Sequence, residues 1–157
     1  MRIFVVLCTV FALALPLGAC CDSKIAECNS MIETINKGMP DFSKVGNSDD
    51  MEQGAKDMRS IAKDVDKLRA DVEKLELATP ELVEKRKEYT AMLSDISKYA
   101  VEFAEVIEGI KKATDAKDLD KLKGAEKKLD EVNKKFQAAV NKESPIIDGI
   151  NGFCTGG

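Results

Sequence analysis

The sequence contains no histidine and no tryptophan among its 157 residues, and aromatic side chains make up only 5% of it. Without His, the chain cannot assemble a Ser-His-Asp or Cys-His nucleophile system, a His-bearing zinc site or a di-iron site. Carboxylate-only sites for calcium or magnesium stay open, but no segment matches the twelve-residue calcium loop. We therefore expect no catalytic residues, no metal ligands and no cofactor, and we predict that the chain is not an enzyme.

The chain also lacks a basic excess, because it has 24 Lys and Arg residues and 28 Asp and Glu residues, which gives a net charge of -4. The first nineteen residues carry Arg2 as their one charge, so the remainder has 23 basic and 28 acidic side chains, a net of -5. Phosphate binding requires a basic face, and we expect no nucleic-acid partner. Charged residues at 33% with so few aromatics are typical of long helices.

The N-terminal stretch has the layout of a signal peptide. Arg2 precedes an apolar run from Ile3 to Leu15, and small residues follow before Cys20. A transmembrane helix needs about 20 apolar residues, and this run is shorter. The sequence therefore predicts a signal peptide at residues 1–19 and a mature domain at residues 20–157.

The four residues Leu17, Gly18, Ala19 and Cys20 resemble the lipobox of bacterial lipoproteins, in which an aliphatic residue and two small residues precede an invariant Cys. The resemblance implies cleavage after Ala19 and acylation of Cys20, so that fatty chains such as palmitate anchor the protein to a membrane of the bacterial cell envelope. Durable anchoring requires more than one acyl chain. The alternative is an ordinary secretory signal, whose small-x-small pattern Leu17 fits poorly.

From Cys21 onward, apolar residues recur at alternating steps of three and four, which predicts four amphipathic helices. We call these positions seam residues. They include Ile25, Cys28, Ile32, Ile35 and Met39 in the first segment; Met51, Gly54, Met58, Ile61, Val65, Leu68, Val72 and Leu75 in the second; Leu82, Tyr89, Met92, Ile96, Tyr99, Phe103, Val106, Ile110 and Ala113 in the third; and Leu122, Ala125, Leu129, Val132, Phe136 and Ala139 in the fourth.

Three breaks separate these segments. Gly38 and Pro40 end the first, and Asp49 with Glu52 forms a predicted capping pair that opens the second. Thr79 and Pro80 open the third, with the Thr hydroxyl as the predicted cap. The last break falls at residues 114–118. A single long helix kinked at Pro80 is the alternative at the second break.

The fold class that follows is all-α: an elongated up-and-down helical bundle with coiled-coil-like heptad seams. A homodimeric coiled coil is the competing architecture, because heptads do not say whether the partner helix belongs to the same chain. At the C-terminal end, Ile146, Ile147, Ile150 and Phe153 crowd one short segment. We expect this apolar tail to fold back over one end of the bundle.

Export to an oxidising compartment predicts that cysteines pair. In an antiparallel four-helix bundle, the start of the first helix and the end of the last lie at the same end. We therefore predict a disulfide between Cys28 and Cys154, since Cys28 is a seam residue. Cys21 is the rival partner for Cys154, two turns before Cys28.

Two functional classes follow from these features. The first is a non-enzymatic, membrane-anchored envelope lipoprotein that binds a protein partner or acts as a structural spacer. The second is a helical carrier of a lipid or another apolar small molecule, for which Tyr89, Tyr99 and the seam methionines are the candidate contacts. Core packing is the competing interpretation of those same side chains. Oppositely charged residues four apart on the helices, such as Glu81 with Lys85, Glu108 with Lys112, Asp130 with Lys134 and Glu131 with Lys135, predict surface ion pairs.

Overall fold

The computed structural model describes residues 19–42 and 50–156, with side chains from Ser23 onward. It contains five helices: α1 (Ala19–Gly38), α2 (Met51–Glu73), α3 (Pro80–Asp115), α4 (Leu119–Val140) and α5 (Glu143–Thr155). Within these ranges there is no strand, and the predicted all-α class is confirmed. The predicted signal peptide, apart from Ala19, lies outside the described residues.

An antiparallel hairpin of α2 and α3 forms the centre of the molecule. Small side chains let the two helices approach closely: the Ser97 hydroxyl donates to the Ala62 carbonyl oxygen at 3.3 Å, and Ala100 and Ala104 are fully buried on the same helix. The buried side chains of α2 lie at the predicted seam or beside it, and they are Ala55, Met58, Ile61, Ala62, Val65, Leu68 and Val72. Each fully buried Leu, Ile or Val contributes roughly 1.5–3 kcal/mol, so this hairpin carries much of the stability.

The second half of α2 is covered by α1. The two helices come so close at Gly38 that a Cβ atom there would lie 2.5 Å from Leu68 Cδ1 and would force the buried Leu68 side chain to shift. Cys28, Met31 and Ile35 of α1 are buried in the core. Because α1 ends beside Leu68, the first half of α2 lies beyond its reach.

One side of α3 is covered in two stages. First, α4 runs antiparallel to the second half of α3 and ends near Asp95, whose carboxylate accepts from Lys142 Nζ at 3.0 Å. Then α5 continues along the first half of α3, where Gly149 lies beside the Lys85 side chain. The apolar tail is therefore a helix that packs along α3 and α1, rather than a short segment folded back over one end of the bundle.

The helix starts agree with the predicted breaks but differ in their caps. Asp50 caps α2, its carboxylate accepting from the Glu52 backbone N–H at 2.9 Å, so the predicted pair Asp49–Glu52 is one residue too early. Pro80 begins α3 after a break, which rules out the single kinked helix; the Thr79 hydroxyl makes no capping hydrogen bond.

The turn at residues 114–118 is a Schellman motif. The Asp118 backbone N–H donates to the Ala113 carbonyl and the Lys117 N–H to the Thr114 carbonyl, both at 3.0 Å. This motif places its residue after the C-cap in the left-handed region, and Lys117 has a φ of 52°. Asp118 then caps α4 by accepting from the Lys121 N–H at 3.1 Å.

The four surface ion pairs expected from the sequence do not form. Lys85 pairs instead with Glu88 at 2.8 Å, and Glu108 pairs with Arg59 of α2 at 3.0 Å. Asp130, Glu131, Lys134 and Lys135 take part in no ion pair among the described residues. A spacing of four permits such a pair, but a competing partner or solvation decides whether it forms.

Candidate functional site

A disulfide joins Cys28 of α1 to Cys154 in the last turn of α5. The two Cα atoms are 5.8 Å apart, within the range that this bond requires. This is the pairing favoured from the seam position of Cys28, although a fifth helix, not the end of the fourth, brings Cys154 to it. The side chains of Cys20 and Cys21 lie outside the described residues, so the structure carries no information on acylation.

Glu27, one residue before the disulfide, ties α1 to the turn between α2 and α3. Its Oε2 accepts from the backbone N–H groups of Ala78 and Thr79 at 3.1 and 3.0 Å. The hydrogen bond from the Thr79 N–H is the main reason that the pKa of Glu27 is lowered. Spacing along the chain does not indicate this contact, because the donors are 51 and 52 residues away.

Tyr89 of α3 and Glu143 in the first turn of α5 lie close together. Tyr89 is fully buried, which agrees with core packing, and Glu143 is partly buried. Neither the Tyr89 hydroxyl nor Glu143 Oε1 has a hydrogen-bond partner of good geometry. Burial raises the pKa of the Tyr89 phenol, and the Glu143 carboxylate raises it further. Such a phenol stays protonated at neutral pH, so it supplies no nucleophile.

The seam methionines divide between the core and the surface. Met58 and Met92 are both 2% exposed and fill the core, in agreement with the core-packing interpretation. Met51 is 43% exposed and lines a cleft of about 350 Å³ between α2 and α3, together with Lys56, Lys111 and Glu108. The charged lining of that cleft does not suit a lipid chain.

Two further clefts have apolar linings. One, of about 340 Å³, lies where α4 and α5 meet α3 and is lined by Met92, Pro145 and Ile146 among others. The second, of about 180 Å³ between α1 and α5, is lined by Ile32, Ile35, Ile147 and Ile150 together with two Asn side chains. Sites for drug-sized ligands span about 300–1,000 Å³. The first cleft reaches only the lower end of that range, and the second falls below it.

The described residues bring no three His, Cys, Asp or Glu side chains together in a group that could hold a metal ion. None of the helices in the described ranges is long and apolar enough to cross a membrane.

The surface of α4 differs from the rest of the molecule in its lysines. Six lysines lie on this helix, and Lys121 is the one that forms an ion pair within the described ranges, with Asp118. Elsewhere in the described residues, nine of thirteen lysines form one. Leu119, at the start of the helix, is 70% exposed, the highest value among the large apolar side chains that the structure describes.

No known protein family, no curated protein and no solved structure matches this chain.

Proposed function

We propose that this chain is a lipoprotein of the bacterial cell envelope, anchored to a membrane through acylated Cys20, which binds a protein partner without catalysis. The observation that carries the proposal is the signal-like N-terminus that ends in Leu17–Cys20. The disulfide supports it, because structural disulfides persist in the oxidising compartments outside the cytoplasm.

The position of α1 supports a rigid connection between anchor and bundle. This helix begins at Ala19, so cleavage before Cys20 leaves the acylated residue in its first turn. The 36 residues of α3 span about 54 Å at 1.5 Å per residue. A bundle attached in this way holds its far end, at the turn between α3 and α4, well away from the anchor.

The elongated up-and-down arrangement with coiled-coil-like seams belongs to the same proposal. Its support is the burial of the seam residues Met58, Ile61, Val65, Leu68 and Val72, which follow steps of three and four along α2. A long bundle of this kind presents lateral helix faces, which suit a protein partner or the role of a spacer.

The carrier of a lipid or small apolar molecule is the second candidate, and the cleft of about 340 Å³ beside Met92 favours it. The packing of the core argues against a carrier, because the side chains of Tyr89, Met58 and Met92 are buried and fill the space that a ligand would need. An acyl chain would have to displace these side chains. We therefore rank partner binding first.

Metabolic labelling with radioactive palmitate tests the anchor. Cys20→Ser is expected to abolish the label and leave an unprocessed product, whereas the matched variant Cys21→Ser keeps both label and processing. Equal labelling of both variants, or none in the wild type, would refute acylation at Cys20.

Purification from detergent-solubilised membranes tests partner binding. We expect a protein recovered in a fixed ratio to the chain, with no stoichiometric lipid in native mass spectrometry. Stoichiometric lipid without a protein would favour the carrier instead.

A further inference from the structure

We infer that the outer face of α4 is the partner-binding surface, and that it docks on a carboxylate-rich segment of a different protein. The inference rests on the proposed function and adds the surface and the chemistry of the partner. Three observations carry it: the charge of α4, its unpaired lysines, and its sparse packing.

The charge of α4 is opposite to that of the molecule. Its six lysines and four carboxylates give a net of +2, whereas the chain has a net of -4. Each of the other four helices has a net negative charge. A partner with an acidic surface is therefore attracted to this helix and repelled by the others.

The lysines of α4 also recur along two strips of its exposed surface. Lys121, Lys128 and Lys135 recur every seven residues, so they share one side of the helix over about 21 Å. Lys127 and Lys134 repeat at the same spacing on the neighbouring strip. All five are exposed, and all except Lys121 lack an ion-pair partner among the described residues. Docking a carboxylate there breaks few existing pairs.

The packing of α4 leaves this face uncovered. Its buried side chains are Val132, Phe136 and Ala139, and its residues before Val132 are exposed or half-buried. Leu119, the most exposed large apolar side chain among the described residues, stands at the start of the same helix, on the side that carries Lys123 and Lys127. An apolar residue beside lysines provides the kind of anchor around which protein interfaces form.

A protein carboxylate fits this face better than a phosphate polymer. Arginine is the favoured residue for phosphate recognition, because its guanidinium binds two oxygens at once, and α4 contains no Arg. Four carboxylates are interspersed among the lysines, at Asp120, Glu126, Asp130 and Glu131. They repel a uniformly charged phosphate polymer, whereas a carboxylate-rich protein segment can place an occasional basic residue opposite them.

Carbodiimide crosslinking in membranes that carry the full-length protein tests the inference, because this reagent joins a lysine amine directly to a carboxylate. We expect amide links from Lys123, Lys127, Lys128 or Lys134 to Asp or Glu residues of one other protein. The combined variant Lys127→Glu, Lys128→Glu and Lys134→Glu is expected to lower the yield at least about tenfold by like-charge repulsion. The corresponding Lys→Gln variant should fall in between.

Lys63 provides the matched control, since it is an exposed lysine of α2 that also forms no ion pair among the described residues. Lys63→Glu should leave the yield unchanged. Links that map outside α4, or that persist in the triple variant, would overturn the inference while the proposed function stands. Links between two copies of this chain, or binding of polyphosphate to α4 with no protein link, would overturn it as well. If no protein is linked and none is co-purified, the proposed function fails too.

Discussion

The two ends of α3 lie in different surroundings. Between Pro80 and Ala100, seven side chains of this helix are buried, and the disulfide, α1 and α5 lie on this side of the molecule; we call it the disulfide half. From residue 101 to the end of the helix, three are buried, Ala104, Val106 and Ala113, and α4 is the helix that packs beside this part of α3 after the turn at residues 114–118. We call this second region the α4 half.

The difference separates stability from exposure. In the disulfide half, four helices and a covalent bond enclose large side chains such as Tyr89, Met92 and Leu82. In the α4 half, the buried residues are small and the leucines of α4 are half-buried, so α4 has less apolar contact than the helices of the disulfide half. Regions with few buried apolar contacts open locally at lower free energy, and binding surfaces are often drawn from them.

Placing a charge in each half should give the largest effect and the clearest contrast. Val65→Asp puts a carboxylate at a fully buried site of α2, and we expect a loss of about 4–5 kcal/mol, enough to unfold a marginal domain. Leu129→Asp, at a half-buried site of α4, should cost about 1–2 kcal/mol. Urea unfolding followed by circular dichroism measures both, with Lys63→Ala as a neutral control. Equal losses at the two sites would erase the distinction between the halves.

Removing the disulfide should come next in size. Cys28→Ser with Cys154→Ser opens a loop closed across a sequence separation of 126, which in the chain-entropy model costs about 4 kcal/mol after some allowance for relaxation. Hydrogen exchange should show faster exchange in α1 and α5, with the amides of α4 least affected. An equal increase in exchange in α1 and α4 after removal of the bond would mean that it stabilises the molecule uniformly.

The turn between α3 and α4 offers a stabilising change. Lys117 has a left-handed backbone, which costs an L-residue other than glycine roughly 1 kcal/mol. Lys117→Gly should therefore raise the free energy of unfolding by up to about 1 kcal/mol. The same change inside α4, Lys123→Gly, should lower it by about 1 kcal/mol. If both variants lose stability, the left-handed geometry at Lys117 is wrong.

The smallest expected effect on the free energy of unfolding concerns Glu143, where the two halves meet, and depends on pH. Burial raises the pKa of Glu143 above the ordinary value of 4.5, so the folded protein is penalised by the ionised carboxylate. The wild type should gain stability as pH falls through that raised pKa toward 4.5, where the unfolded chain also binds the proton. Glu143→Gln should be more stable than the wild type at pH 7, and the difference should shrink by pH 4. A difference that is the same at both pH values would contradict the assigned burial.

Local chemistry explains what the sequence could predict. Thr79–Pro80 marks a helix start, because Pro fits the first helical position and disfavours helical geometry before it. The three-and-four spacing identified Val65, Leu68 and Ile96 as core residues, because burying one face of a helix requires that period. The disulfide partners followed from the seam position of Cys28 and from the expectation that the start of the first helix and the end of the last lie at the same end of the bundle.

What could not be predicted depends on contacts between distant segments. Glu27 caps a turn more than 50 residues away, and Glu108 pairs with Arg59 on another helix in place of the nearby Lys112. Neither partner is visible from spacing along one helix. The unpaired lysines of α4 were missed for the same reason, because the expected pairs Asp130–Lys134 and Glu131–Lys135 satisfied the spacing rule without forming. The Asp49 cap failed by one residue, since either of two adjacent aspartates fits the pattern.

The bond between Cys28 and Cys154 also sets how the molecule would bear a mechanical load. In the proposed anchored protein, tension enters at Cys20 and leaves through a partner held on α4. From Cys28 the covalent path crosses directly to Cys154 and runs back through α5 into α4, bypassing α2 and α3. Pulling would therefore not stretch the central hairpin, as long as the bond is intact. Once the bond is reduced, the same tension would pass through every helix in turn.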